Sequence, residues 1–323
     1  MIRPSCHWPR AASLTTPTRA SLTLAAVAGL AMAAIGGAQE RAPSQSAADP
    51  RWAEVRRVFG QDGENEGEYF RVNLPRADLH VRIGNDTLAP GFELTSYVGF
   101  MPAGARDVMA MGEVILRDDE VPAALAELHR QGVRVSAVHN HLIGEAPRVM
   151  YVHVMAQGAP GAVATKLRSV FATTATPLTP EKEEAPAADW SGIDAVLGPH
   201  AEAEDRVAEY VFPRKERLSV DGMLVKSTGM LETASEVVFQ HLDGGRTACG
   251  GELFVLPSEV DPVVRALDEH GLHVTAVHNH MVSDLPRMYW IHWYGTGDGP
   301  TLARGVAAAL ARMNSAQKSE SEH

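Results

Sequence analysis

Cysteine, aromatic residues and positive charge are all scarce in this chain. Only two of its 323 residues are cysteine, Cys6 and Cys249, and 6% are aromatic. Lys and Arg number 29 against 40 Asp and Glu, for a formal net charge of −11. Nucleic-acid binding is dominated by neutralising phosphates, so an acidic chain with no Lys/Arg run beyond its N-terminal region is a poor candidate for it. Long apolar runs are missing too, with one exception near the N-terminus, so nothing after that run reads as a bilayer span. What remains is 45% apolar and 21% charged, a globular mix that excludes wholesale disorder and a disulfide-dense scaffold. The length suits two domains.

Residues 1–38 read as an export signal. Arg3, Arg10 and Arg19 precede or flank an apolar run from Leu22 to Ile35, and Gly36-Gly37-Ala38 supplies small residues for cleavage before Gln39. The run is short for a membrane anchor, so no stable span is expected after cleavage, and the protein is expected in the periplasm or secreted. Cleavage removes three arginines and no acid, taking the formal charge from −11 to −14. It also removes Cys6 and leaves Cys249 alone, so no intramolecular disulfide can form and the core must stabilise the fold. Cys249 reads as a small buried residue.

The chain is a duplication. Shifted by 139 residues, Gly112–Gly158 aligns without a gap on Gly251–Gly297, with 16 of 47 positions identical. Leu79 and Val81 fall on Leu218 and Val220, so the unit is domain-sized and too long for a solenoid repeat. The expected organisation is a loose segment at 39–50, a first repeat at 51–172, a polar, proline-containing linker at 173–189, a second repeat at 190–314 and a disordered tail at 315–323. Each half reads as β-β-α-β-β-α: strands such as Ser96–Met101 and Val108–Leu116, a helix at Val121–Gln131 stopped by Gly132, strands Arg134–Ile143 and Val149–Met155, and a last helix. Ser258 is the expected N-cap and Gly271 the stop of the equivalent second helix. The fold class is therefore α+β, with helices packed on antiparallel sheets and the halves in a pseudo-twofold arrangement.

Six histidines carry one pattern used twice. In the first half it is His139, His141, Glu145, Pro147, Arg148 and His153; in the second it is His278, His280, Asp284, Pro286, Arg287 and His292. Alternate residues of a strand share a face, which puts His139 with His141 and turns Asn140 away. A symmetric turn centred on Ala146 sets His153 opposite His139 and Tyr151 opposite His141; the centre Leu285 does the same for His292 and His278. Three imidazoles with a carboxylate or water make a first shell for a divalent transition metal, with zinc expected first and copper second. The histidines form one site per half, or all six line one cleft. Glu145 and Asp284 are candidate general bases of a metal-assisted hydrolase, Arg148 and Arg287 candidate holders of an anionic group, and Glu113 and Glu252 candidate partners of the histidine rings.

Other readings use the same residues. Histidine and arginine could hold an anionic small molecule or a cell-envelope component without a metal. The motif could also serve only to brace the hairpin of a structural or interaction protein. His-Asn-His suggests a nuclease by its letters alone, and an exported acidic chain fits that poorly. His-x-His-x3-Glu matches half of a cupin metal motif, but Val152 stands where that motif has a glycine. Met109-x-Met111, Met150 and Met155 suggest copper through soft thioethers, yet the second half has Ala248 and Gly250 at the first two positions, which favours core filling.

The stretches "EVPAALAELHRQGVRVSAVHNHLIGEAPRVMYVHVMAQG" and "EVDPVVRALDEHGLHVTAVHNH", with "PRMYWIHW", resemble the LppY/LpqO-like family of exported bacterial proteins of unknown function. The resemblance covers most of both halves. It implies an exported protein with a duplicated domain, in some members a lipoprotein. Here Cys6 precedes the apolar run, the wrong place for lipid attachment. The family supplies no reaction to carry over.

Overall fold

A computed structural model describes residues 49–179, 188–204 and 206–315. The expected signal segment, most of the 39–50 segment, the middle of the linker and residues 316–323 lie outside them. The first half contains α1 (Pro50–Phe59), β1 (Glu64–Glu66), β2 (Tyr69–Pro75), β3 (Arg82–Ile83), β4 (Asp86–Thr87), β5 (Thr95–Pro102) and β6 (Val108–Arg117). It continues with α2 (Val121–Gln131), β7 (Arg134–His139), β8 (Glu145–Ala146), β9 (Val149–Gly158) and α3 (Pro160–Phe171). The second half repeats the series with α4 (Ser191–Leu197), β10 (Glu202–Glu204), β11 (Val207–Phe212), β12 (Leu218–Val220), β13 (Met223–Val225), β14 (Ser235–His241) and β15 (Thr247–Val255). Then come α5 (Val260–Glu269), β16 (His273–His278), β17 (Asp284–Leu285), β18 (Tyr289–Gly297) and α6 (Gly299–Leu310).

Each half is thus an α+β unit, richer than the expected six-element plan. It gains an opening helix, a leading β-hairpin and a small side sheet. Asp49 and Pro50, expected to be loose, open α1: Asp49 accepts from the Arg51 amide and Pro50 stands at the first turn, where a missing N–H costs nothing. The α2 helix ends at Gly132 in the left-handed region, φ 65°, as a glycine stop requires. Ser258 does not cap α5; that position falls to Glu259, whose side chain is engaged elsewhere. Ser315, assigned to the tail, is buried and bridges Arg214.

The main sheets are antiparallel, with strand orders β1-β2-β5-β6-β9-β7 and β10-β11-β14-β15-β18-β16. Both faces are buried, and the pleat sorts the residues. On β6, Val108, Ala110, Val114 and Leu116 pack with α1, α2 and α3 around Trp52, Leu128 and Leu167. Met109, Met111, Glu113 and Ile115 point the other way, toward the second half. The second sheet does the same, with Cys249 and Leu253 under α5 and α6. Apolar residues of both halves meet in two shared clusters, one around Met111 and Trp290 and one around Ile115 and Val238. The order of layers is helices, sheet, sheet, helices, and the histidines lie in the middle. Residues 49–315 belong to one compact unit, and no helix among the described residues is long and apolar enough to cross a membrane.

The contacts between halves are reciprocal. Ser136 donates to the carbonyl of His280, and Thr275 donates to that of His141. Asn140 donates to the carbonyl of Thr275 at 3.3 Å, and Asn279 to that of Ser136 at 3.1 Å. Each pair is the other displaced by one repeat, as across an isologous twofold interface. Asn140 does turn away from its flanking histidines, and what it reaches is the backbone of the other half.

Candidate functional site

The hairpin register differs from the symmetric-turn expectation. His139 pairs with Tyr151 and Ala137 with His153, after a bulge between Val135 and Ala137. In the second half His278 pairs with Trp290 and Ala276 with His292. The cause is the connection. The β7 strand stops at His139, and residues 140–148 make no tight turn because β8 leaves to pair with β3; β17 pairs with β12 in the same way. The slip is two residues, and a slip of two preserves the face. His139 and His153 therefore still converge, with ring centroids 4.9 Å apart.

All six motif histidines meet in one cluster. They stack across the two halves as His139 on His278 at 3.5 Å, His141 on His292 at 3.6 Å and His153 on His280 at 3.6 Å. Tyr151 closes one outer stack on His141, and Trp290 closes the other on His280. His141, His153, His280 and His292 are buried, and His139 and His278 are half-buried. The six rings form one shared cluster rather than two separate ones.

Glu113 faces His153 across the β6–β9 ladder, and Glu252 faces His292 across β15–β18. The Oε2 of Glu113 lies 3.0 Å from Nε2 of His153 and 3.2 Å from Nε2 of His141. Glu252 approaches His280 at 3.3 Å and His292 at 3.8 Å. Two further carboxylates, absent from the sequence reading, complete the ring. Glu93 stands 3.4 Å from His292 and 3.5 Å from His141; Glu232 stands 3.9 Å from His280. They occupy equivalent positions one repeat apart, and both have positive φ, 56° and 49°. A non-glycine residue in that region costs roughly 1–3 kcal/mol and is held there by its surroundings, a pattern concentrated at functional sites.

The electrostatics follow from burial and crowding. Burial, then the neighbouring imidazoles His153 and His141, push His139 far below the ordinary histidine value. Burial, then His292 and His139, do the same to His278. Both are therefore neutral. The Nδ1 atom of His139 lies 3.3 Å from the carbonyl oxygen of Asn140, and that of His278 lies 3.2 Å from that of Asn279. Nδ1 thus carries the proton, and the buried Nε2 keeps a lone pair with no hydrogen-bond partner. At His141 burial opposes the proton, but Glu113 and Glu93 outweigh it and hold the pKa at about 9. Burial raises the Glu113 carboxyl, and His141 and His153 outweigh that, leaving it well below its usual range. Burial and the Glu113 charge push Glu232 up to about 8.

Sets of donor atoms close enough to share one ion are Glu113 with His139, His141 and His153, and Glu252 with His280 and His292. Two more sets cross the halves, His141 with His278 and His292, and His153 with His278 and His280. Four other expected site residues are elsewhere. Glu145 accepts from the Val149 amide, and Asp284 accepts from the Met288 amide and from Arg287 at 2.6 Å, so each carboxylate braces its own loop. Arg287 also donates to the carbonyls of Met281 and Val282. Arg148 is exposed and makes no side-chain hydrogen bond among the described residues. The segments that carry these four are expected from the sequence to be symmetric hairpin turns beside the histidines; instead β8 pairs with β3 and β17 with β12 in the side sheets.

The profile of a family described as Domain of Unknown Function (DUF1259) matches residues 53–173 and again 191–312. The chain belongs to this family. The double match and the repeated elements establish a tandem duplicated domain of unknown function. No curated protein matches the chain. Among solved structures, a trimeric bacterial microcompartment shell protein, PduB, is 10% identical and aligns over 78% of this chain and 89% of its own, with a TM-score of 0.21. A score that low carries no argument about fold or function.

Proposed function

We propose that this DUF1259 protein is an exported transition-metal-binding protein of the LppY/LpqO-like type, with zinc as the first choice of ion and copper the second. The observation that carries the reading is the pair His139 and His278. Each keeps its Nε2 lone pair buried and unpaired while Nδ1 holds the proton against a backbone carbonyl. An orphaned buried acceptor costs about 1–3 kcal/mol, and an orientation fixed through the second nitrogen is how proteins present an imidazole to a metal. Glu113, His141 and His153 stand around His139 as the remaining donors, a nitrogen-rich set with one carboxylate that suits zinc.

A binding role is favoured over a hydrolase. The residues read as bases and substrate clamps, Glu145, Asp284, Arg148 and Arg287, brace loops or face solvent. The same placement weakens the reading as a metal-free binder of anions, because Glu93, Glu113 and Glu252 lie within 3.5 Å of the histidines, with Glu232 at 3.9 Å, and no arginine among the described residues pairs with them. Export is proposed from the N-terminal sequence alone.

Zinc titration by calorimetry tests the reading. Wild type, stripped of metal, is expected to bind zinc, and Glu113→Gln to bind it about 10–100-fold more weakly, the usual effect of losing a carboxylate from or beside a metal shell. Absence of zinc binding by the stripped wild type would sink the proposal.

A further inference from the structure

Methionine is distributed unequally about the pseudo-twofold axis. The histidine cluster has two flanks, and they are equivalent by the repeat. One contains Met101, Met109, Met111 and Met155 from the first half, joined by Met230 and Met281 from the second, all buried. The repeat-equivalent positions on the other flank hold Gln240 for Met101, Ala248 for Met109, Gly250 for Met111, Tyr294 for Met155, Gly91 for Met230 and Leu142 for Met281. Ordinary apolar side chains fill that second flank. Read from the sequence alone, the missing counterparts of Met109 and Met111 favour core filling; the structure adds that the methionines of both halves collect on one flank, which filling alone does not require.

The methionines also form rows. Met101 pairs with Met109 across β5 and β6, and Met111 pairs with Met155 across β6 and β9. Glu113 pairs with His153 one step further along the same face. Alternate strand residues are roughly 6.6 Å apart, so the rows lead in steps toward the cluster. A narrow cavity joins the second row to the histidines; Met111, Met155 and Met281 line it with His153 and His280. The Nε2 atoms of both histidines are buried, and their polar neighbours are the carboxylates of Glu113, 3.0 Å from His153, and Glu252, 3.3 Å from His280. Arg134 lies at this flank, donating to the Met155 sulfur at 3.3 Å, and its charge is paired by Asp221.

We propose that Met111, Met155 and Met281, together with His153 and His280, form a subsite for a soft monovalent cation, Cu(I) or its analogue Ag(I). The proposal rests on the metal-binding reading above and specifies a second class of ion for the same cluster. Thioether sulfur selects soft ions, and a hard or borderline ion gains little from it. The rows of Met101 and Met109 then form the route inward. Zinc keeps its imidazole and carboxylate donors around Glu113 and does not need the sulfurs.

The test is a competition titration of the metal-free mature protein with Cu(I) held by a chromophoric chelator, repeated with Ag(I), beside a zinc titration. The variant is Met111→Leu/Met155→Leu/Met281→Leu, which keeps apolar volume, with Met111→Leu alone as a milder second variant. Wild type is expected to take up Cu(I) and Ag(I). The triple variant is expected to bind them at least about tenfold more weakly, and the single variant to fall between, with zinc affinity within about twofold of wild type. Equal Cu(I) affinity in wild type and both variants overturns the inference. So does a parallel loss of zinc and Cu(I), which would make the methionines packing residues only. A wild type that binds zinc but not Cu(I) refutes the subsite and leaves the metal reading standing. A wild type that binds neither refutes both.

Discussion

Stripping metal from the wild-type protein is expected to lower its melting temperature by roughly 5–15 °C, and the His139→Ala/His278→Ala variant is expected to show no such response. A ligand that binds only the folded state stabilises it by about 2.7 kcal/mol at one hundred times Kd and about 4.1 kcal/mol at one thousand times. For a chain of this size each kcal/mol corresponds to roughly 2–4 °C. The two substituted histidines are the ones with protonated Nδ1 and free Nε2, so their loss removes donors from both halves at once. Differential scanning with and without chelator reads the effect. If the histidines only brace the two sheets, the variant melts lower than wild type and chelator moves neither. A metal site instead makes the chelator response itself disappear in the variant.

The second large effect lies away from the cluster. Arg76→Ala is expected to cost about 3–5 kcal/mol, because it leaves a buried carboxylate without its cation. Arg76 is fully buried. It contacts Glu120 at 3.0 Å and Asp78 at 2.8 Å and donates to the carbonyl of Ile115. Glu120 in turn accepts from the amides of Arg117 and Ala175, so one carboxylate ties β6, α2 and the chain after α3 together. The second half repeats the device: Arg214 bonds Glu259, Glu216 and the carbonyl of Phe254, and Glu259 accepts from the amides of Leu256 and Asn314. Arg214→Ala should therefore cost a similar amount. Equilibrium unfolding in urea checks both; a midpoint shift equivalent to under about 1 kcal/mol would mean that the freed carboxylate reaches water and that the pair is not closed off.

These pairs show what the sequence displayed and what it concealed. Glu120-Val121 and Glu259-Val260 match across the repeat, and the sequence predicts a helix that begins at Val121. The helix does start there, yet both glutamates spend their side chains on an arginine about forty-five residues upstream, a partnership no local pattern encodes. The histidine pattern was legible because its members lie close in sequence and on alternating positions. Its register was not, since the small strand β8 leaves the hairpin for β3, and that choice depends on tertiary pairing. The face survived the error because the slip was even.

Glu93 and Glu232 were missed for a related reason. They lie outside the gapless block from Gly112 to Gly158, in segments with no repeated motif. The signal available was the repeat offset itself: 139 residues separate them, as they separate every histidine from its mate. Extended downstream from Leu79 and Val81 toward Gly112, that offset pairs the two acids. Glu145 and Asp284 were the opposite case, acids near the motif in sequence that fold away from it.

Two repeats converge on one buried cluster, and elemental analysis tests most directly the proposal that this cluster holds a metal. The mature, untagged protein, purified from a periplasmic extract without chelators, would be assayed by mass spectrometry beside His139→Ala/His278→Ala. Zinc or copper near one or two equivalents in wild type, lost in the variant, is the expected result. A wild type that carries no metal and takes up neither added zinc nor added copper would contradict it and return the histidines to a bracing role.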